Sequence, residues 1–574
     1  MTDRERVWLD HVAAPHWRKV AVTVIVTAII VSFVIRGWGL IHEHWNSRRT
    51  DQSAYLRLGL DIRHGTALTD GNRHPLYPAI LALFAKNEWS YFTTAKLLNL
   101  TIAVVTLLVV YWVARDVSNL HAAWLTVLLL SQTYRFYDSA SKAIVEPLLT
   151  LVVVLTWFLM WRGEGSATQW GLAGVGAGLT YLAKGTGQII AIVFLAASVL
   201  LYGKEVFRKR SVRLFLIGYV ALASGLWVYN TLTYGNPFYN FSTTHAMWLD
   251  EWEERYVTTA SQLPTALSYL RTHSVGHTLR RFFSGLVSVS HSVELAWLPW
   301  YEILFPVLQV LFLAVLVMKV SATSEECHVI SWGALWNRLA VFFRTHRAGV
   351  IITALLLVAW YVLFAWYYPV SQSSRFFIPL APVVQCGIAS LGAVLGRLVL
   401  DVLPWPRGRT RTGLINVVYI LLAILAVVLT SSQALAAVEG RQLRDPFRWD
   451  VERNAEGDAV LEWLIAETDV SPVRLLSGPG WTLPLWKYES KILHESIPLG
   501  LGTWEEFADF IHRNHLSWAI VDGDMVERRP DLLNDYFTFQ HEDLTLHQPP
   551  PGWTLVRAVD GSTYDWYVFK TDAE

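Results

Sequence analysis

Long apolar runs separated by short polar stretches set the pattern of this chain. They are Val20–Trp38, Phe92–Ala114, Ala122–Gln132, Ile144–Trp161, Trp170–Leu182, Gln188–Leu201, Leu214–Tyr234, Ile303–Val320, Gly349–Trp366, Phe376–Leu395 and Ile415–Thr430. A straight bilayer span needs about 20 apolar residues, so the runs predict roughly 11 membrane helices. The three shortest either extend into their polar flanks or re-enter. The first run is too long for a signal-peptide core and has no small-residue cleavage site before Ile41-His42-Glu43-His44, which reads as an anchor that stays. Alternate loops carry the basic clusters: Arg18-Lys19, Arg115, Arg162, Lys204 with Arg208-Lys209-Arg210 and Arg213, Arg338 with Arg344 and Arg347, and Arg407, Arg409 and Arg411. The positive-inside rule places these loops and the N-terminus in the cytoplasm.

An odd number of spans then puts the first loop (40–91), the long loop (235–300) and the tail on the outer side. The expected division is a membrane domain over residues 1–435 and a C-terminal extracytoplasmic α/β domain over 436–574. In the tail, a helix Ala459–Ile465 precedes a strand Val473–Leu476, and Thr503 with Glu506 forms a capping box before the helix carrying Phe507, Phe510 and Ile511. A strand Trp518–Val521 follows, and Trp553–Val556 with Trp566–Phe569 reads as a closing pair.

Composition agrees with a polytopic α-helical membrane protein, because 53% of the 574 residues are hydrophobic and only 16% charged. The formal net charge is zero, which removes any global case for nucleic-acid binding. Cys327 and Cys386 fall in a cytoplasmic loop and an apolar helix, so no disulfide is expected. The glycines of Gly163–Gly187 sit in apolar helices and read as close packing; no nucleotide-phosphate motif is present.

The charge pattern breaks its own rule in one place. The first outer loop holds Arg48, Arg49, Arg57, Arg63 and Arg73, and Lys184 and Arg375 lie at outer helix ends, where basic residues are normally scarce. Two readings stand: contacts to lipid head groups, or a site for a phosphate or diphosphate at the membrane face. Asp51 precedes the amphipathic stretch Tyr55–Leu60, whose apolar positions are expected toward lipid, and Leu76–Phe84 forms a second interfacial stretch. Asp51 also fits an ordinary helix N-cap, the reading that composition alone favours.

In order along the chain, these residues resemble a known family. Asp51 with Ala54-Tyr55, then Arg73-His74-Pro75-Leu76-Tyr77-Pro78, is similar to the first outer loop of the GT-C glycosyltransferases of the protein mannosyltransferase and lipid A aminoarabinose transferase type. Ser141–Leu148 resembles that family's Ser-Glu-Pro-Leu helix start, Leu182–Gly187 its Thr-Lys block, and Tyr234–Tyr239 and Ser374–Pro382 complete the set. Where the family often has an Asp-Glu pair, this chain has Asp51-Gln52. A second carboxylate, if one is needed, then comes from Asp138 or Glu146, although Glu146 also stands four residues after Lys142 and fits as its helix ion-pair partner.

The resemblance implies a GT-C fold and an inverting transfer of a sugar from a polyprenyl-phosphate carrier to a lipid, polysaccharide or protein acceptor. Arg73, Lys184 and Arg375 would stabilise the departing phosphate. Asp51 would act as general base, with Asp138 and Glu146 as further catalytic candidates. Tyr55, His74 and Tyr77 would orient phosphate or sugar, and Trp248, Asp250, Trp252 and Trp297 would line an acceptor groove or serve as interfacial packing. Membrane lipids are the remaining partner, and the plasma membrane is the expected location. No cofactor is assigned; His42-Glu43-His44 offers metal ligands but reads as interfacial polar sequence. Competing readings are a transporter or flippase of a lipid-linked saccharide, which would place charges at mid-span and repeat its halves, and a non-catalytic membrane subunit.

Overall fold

The computed structural model describes residues 16–43, 51–86, 89–164, 166–251, 254, 263–298, 340–402, 448–468, 471–478, 491–496, 503–540, 543–560 and 565–572. Its first half is helical: α1 (His16–Glu43), α2 (Gln52–His64), α3 (Leu76–Ala82), α4 (Trp89–Val117), α5 (Leu120–Gln132), α6 (Tyr134–Ala140), α7 (Glu146–Arg162), α8 (Ala167–Ala183), α9 (Gln188–Tyr202) and α10 (Arg210–Tyr234). Helices Ala266–Thr272, Val275–Trp297, Arg347–Tyr367 and Ala381–Val402 follow. Nine of the predicted apolar runs fall on these helices, and the runs 303–320 and 415–430 lie outside the described residues. Six segments among the described residues are long and apolar enough to cross a membrane: Lys19–Ile41, Ser90–Val117, Gly185–Arg208, Arg210–Tyr234, Arg347–Tyr367 and Ser374–Val394. The protein is an integral membrane protein on this evidence, since lipid allows only structures that satisfy their own backbone hydrogen bonds.

Each of these helices is two-faced in a way a soluble helix is not. Ile25, Ile29 and Phe33 of α1 are buried against the bundle, whereas Val24 and Val31 are exposed and equally apolar. Two helix starts are set by side chains: Asn119 accepts from the N–H groups of His121 and Ala122 at the start of α5, and Ser166 accepts from Gln169 at the start of α8. The contact between α8 and α10 depends on small residues, as expected from the glycine-rich run. A Cβ added at Gly174 would stand 2.0 Å from the Phe215 carbonyl oxygen, a backbone atom of α10. Gly174→Ala is therefore expected to cost about 1–3 kcal/mol by overpacking, seen as a lower unfolding temperature in detergent. Gly225→Ala is the control, because a Cβ there meets nothing within 4 Å.

The interfacial reading of α2 needs correcting. Leu56, Leu58 and Leu60 are buried inside the protein rather than turned to lipid, and α2 packs on α3. In α3, Tyr77, Pro78 and Leu81 are likewise buried; the apolar groups left exposed are Leu83 and Phe84, just beyond its end.

Among its described residues, the C-terminal region contains helix Arg448–Glu467, helix Trp504–Arg513 and seven strands, β1 (Val473–Ser477), β2 (Ile492–Ser496), β3 (Trp518–Asp522), β4 (Phe537–Gln540), β5 (Asp543–Leu546), β6 (Trp553–Val559) and β7 (Trp566–Thr571). Five of them form one sheet in the order β2-β1-β3-β7-β6, parallel across β2-β1-β3 and antiparallel across β3-β7-β6. The predicted β6/β7 pair is present, with Trp553 opposite Thr571. Thr503 caps its helix by accepting from the Glu506 N–H. Strands β2, β4 and β5 were not expected from the sequence; β4 and β5 pair with each other apart from the main sheet.

Candidate active site

Asp51 is the residue just before α2, yet its carboxylate makes no capping bond. Instead Arg73 Nη2 donates to Oδ1 at 2.7 Å and Arg375 Nη2 donates to Oδ2 at 2.8 Å. The N-cap reading therefore fails for the side chain: two guanidinium groups from chain positions far apart hold it. Burial alone would push the Asp51 carboxyl up, but Arg375 and Arg73 outweigh that and keep it well below the usual carboxylate range.

Each cation is fixed by its own local structure. Arg73 follows a turn in which Asp70 Oδ1 accepts from the N–H groups of Asn72 and Arg73, while Arg73 Nη1 donates to Asp70 Oδ2 at 2.5 Å. That turn is tied to the long loop: Phe241 N–H donates to the Gly71 carbonyl, and Asn240 Nδ2 donates to the Asn72 carbonyl. Lys184 stands between α8 and the turn Gly185–Gly187, and its Nζ is 2.9 Å from Glu146 Oε1. Arg375 Nε lies 3.9 Å from the same Glu146 oxygen. The ring of Phe376 supports both cations, with Lys184 Nζ 4.8 Å and Arg375 Cζ 5.3 Å from its centroid.

Glu146 is the first residue of α7, with Pro147 behind it, a start that suits both the negative charge and the missing proline N–H. The preceding loop is pinned on both sides. Gln52 Oε1 accepts from the Ala143 N–H at 2.8 Å, and Asn99 Nδ2 donates to the carbonyls of Lys142 and Ile144 at 2.6 Å each. Glu146 pairs with Lys184, not with Lys142 as its spacing suggested; Lys142 pairs with Asp138 at 2.7 Å.

The structure thus brings Asp51, Arg73, Glu146, Lys184 and Arg375 into one ion network, to which Asp70 belongs although the sequence reading passed over it. The Asp-Gly-Asn triplet before Arg73 was the available signal. Asp138 is engaged with Lys142 instead. Tyr55 touches the network, its ring 5.6 Å from Arg73 Cζ. Tyr77 is fully buried, edge-on to Tyr55, and His74 is buried against Tyr181; Tyr77 Oη and His74 Nδ1 are buried with no hydrogen-bond partner among the described residues. Trp297 is buried with its indole N–H on the Phe377 carbonyl, in keeping with its reading as packing. Trp248 donates to the Thr243 carbonyl beside Trp366, and Trp252 and His44 lie outside the described residues.

Burial pushes the His74 imidazole down to about 4. The ordinary unfolded value is 6.5, so the unfolded chain binds this proton first and stability falls as pH drops from about 6.5 toward 4. Unfolding temperatures in detergent across that range should show the loss, and His74→Gln should remove that part of it.

Several buried hydrogen-bonding atoms around the network have no hydrogen-bond partner among the described residues: Arg73 Nε, Arg375 Nε, Ser374 Oγ, Thr186 Oγ1 and Glu146 Oε2. Four of the five can donate. That arrangement is suited to an anion with several oxygens.

Residues 73–229 match the model of a family described as dolichyl-phosphate-mannose-protein mannosyltransferase. Among solved structures, ArnT from Cupriavidus metallidurans in the apo state is 14% identical over 97% of this chain and 98% of that one, with a TM-score of 0.51. The same protein bound to undecaprenyl phosphate gives 14% identity, the same coverage and a TM-score of 0.49. AglB from Archaeoglobus fulgidus, in complex with an inhibitory peptide and a dolichol-phosphate, is 14% identical over 89% of this chain and 70% of that one, at a TM-score of 0.46. No curated protein sequence matches the chain. The resemblance to GT-C glycosyltransferases that the motifs carry is real, and the fold is the one shared with apo ArnT.

Proposed function

We propose that this protein is a membrane glycosyltransferase that moves a sugar from a polyprenyl-phosphate carrier to a lipid, polysaccharide or protein acceptor. The reaction takes place on the extracytoplasmic face of the plasma membrane, with the N-terminus cytoplasmic, residues 1–435 forming the catalytic membrane domain and residues 436–574 an outer domain. The observation that carries this reading is the carboxylate of Asp51 held between the guanidinium groups of Arg73 and Arg375, beside Lys184.

Without donor, Asp51 is a weak base, because both arginines favour its ionised form. A donor phosphate competes for those same donors. As Arg73, Arg375 and Lys184 turn to the phosphate oxygens, Asp51 loses its partners and its basicity rises toward that of an ordinary carboxylate. The acceptor hydroxyl then attacks the anomeric carbon as Asp51 takes its proton; the bond from that carbon to the phosphate oxygen breaks, and the electron pair leaves with the phosphate. The three cations stabilise the growing charge. Attack opposite the departing phosphate inverts the anomeric centre in one displacement. Glu146 orients Lys184 and Arg375 from behind.

The test is transfer of label from a panel of radiolabelled polyprenyl-phosphate sugars by purified protein supplied with lipid, glycan and peptide acceptors. Transfer from at least one donor is expected. Binding of carrier lipids with no transfer to any acceptor class would overturn the enzyme reading in favour of a transporter.

A further inference from the structure

A second cluster of charged and imidazole groups lies in the long outer loop, built from residues that the ion network around Asp51 does not use. Asp250 ends the segment after Trp248, and helices Ala266–Thr272 and Val275–Trp297 bring His273 and His277 to it. His273 Nε2 is 3.1 Å from Asp250 Oδ2, and His277 Nε2 is 3.3 Å from Oδ1. One ligand atom from each of the three residues lies within 4.8 Å of the others.

We propose that Asp250, His273 and His277 bind a divalent transition-metal cation of the zinc type. The first argument is the tautomer of His273. Its Nδ1 stands 3.0 Å from the Tyr269 carbonyl, to which it donates its N–H, and stacking on the Tyr269 ring at 4.0 Å fixes the imidazole plane. With Nδ1 so engaged, Nε2 is the ring atom turned to the Asp250 carboxylate oxygen at 3.1 Å. A cation between the two atoms, a proton or a metal ion, satisfies both. A backbone carbonyl behind one ring nitrogen is also the usual support of a metal-bound histidine.

The second argument is orientation and charge. Arg281 Nη1 and Tyr269 Oη both donate to Asp250 Oδ1, at 3.0 and 2.8 Å, which holds the carboxylate and leaves Oδ2 to His273. The Glu254 carboxylate accepts from the backbone N–H groups of Asp250 and Glu251. Among the described residues, three carboxylates (Asp250, Glu251, Glu254) stand near one guanidinium here, an excess of negative charge that a dication would offset. Imidazole and carboxylate together suit zinc and its neighbours better than calcium or magnesium. The side chains are partly exposed, 45% for His277, so a cation has an open path and room for water ligands.

The consequence is mechanical. Arg281 Nη2 also donates to the Met247 carbonyl, its Cζ lies 4.7 Å from the Trp366 ring centroid, and the Trp366 indole donates to the same carbonyl. A bound cation would clasp the long outer loop to the end of helix Arg347–Tyr367, a short distance along the chain from Arg375.

The test uses tag-free, full-length protein stripped with EDTA and held in detergent at pH 8. Cobalt(II) is titrated by visible absorption, and zinc is counted by elemental analysis after gel filtration. One metal per chain is expected, with zinc displacing cobalt. His273→Gln and His277→Gln should each weaken binding about tenfold or more; His277, being half exposed, is the variant least able to disturb folding. A His42→Gln/His44→Gln variant should bind as wild type. Absence of stoichiometric binding at pH 8, unchanged affinity in both cluster variants, or loss of binding only in the His42/His44 variant would each overturn the proposal.

Discussion

Replacing Asp51 with Asn is expected to slow sugar transfer by about 10³-fold, in the middle of the range that a positioned general base contributes. Asparagine keeps the shape of the side chain, and its carbonyl oxygen still accepts from one of the two guanidinium groups, while its amide nitrogen, a donor, faces the other. It has no charge to compete with a donor phosphate and no basicity to accept the acceptor's proton. Carrier-lipid binding should therefore be equal to wild type or tighter, while single-turnover transfer of a radiolabelled sugar collapses. A variant that transfers at the wild-type rate would remove Asp51 from the base role; one that loses lipid binding in parallel would make it a structural partner of the arginines instead.

Lys184→Met should have the other large effect, on stability as well as activity. Glu146 has only 3% of its side chain exposed, and its close cation is Lys184 at 2.9 Å, with Arg375 Nε at 3.9 Å. Removing the ammonium group leaves a buried carboxylate with one distant partner, a change that costs about 3–5 kcal/mol in buried pairs. The unfolding temperature in detergent should fall accordingly. The double variant Glu146→Gln/Lys184→Met should regain most of that stability, because the orphaned charge is gone, yet remain inactive with any polyprenyl-phosphate sugar. If the single variant is as stable as wild type, or the double variant no better than the single, the pair does not hold the site together.

The sequence made the helices readable because lipid demands long uninterrupted apolar runs, and runs such as 214–234 have no other plausible use. It misjudged which way α2 faces. Periodicity separates apolar from polar positions, but in a membrane protein both the lipid side and the protein side are apolar, so Leu56 and Leu60 carried no mark of burial. The site was legible one residue at a time, through motifs in a fixed order, and not as pairs. Asp51 and Arg375 are 324 positions apart, and nothing local announces such a partnership. For the same reason Glu146 was left open between a catalytic carboxylate and a helix partner of Lys142: a four-residue spacing is visible in sequence, and a bridge to Lys184 across two helices is not. Gln52 seemed only a missing carboxylate until its side chain was found holding the Ala143 N–H, which fixes the loop that leads to Glu146.

The pairing of Asp51 with two arginines also bears on turnover. Three carboxylates, Asp51, Asp70 and Glu146, face three cations, Arg73, Lys184 and Arg375. Under the mechanism proposed above, a sugar phosphodiester would add one negative charge and the polyprenyl phosphate left after transfer a second, which the proton taken by Asp51 would offset. Loss of that proton to water would leave Asp51 an anion again, competing with the spent phosphate for its two guanidinium groups. The residue that begins the cycle by accepting a proton would then end it by helping to expel the product.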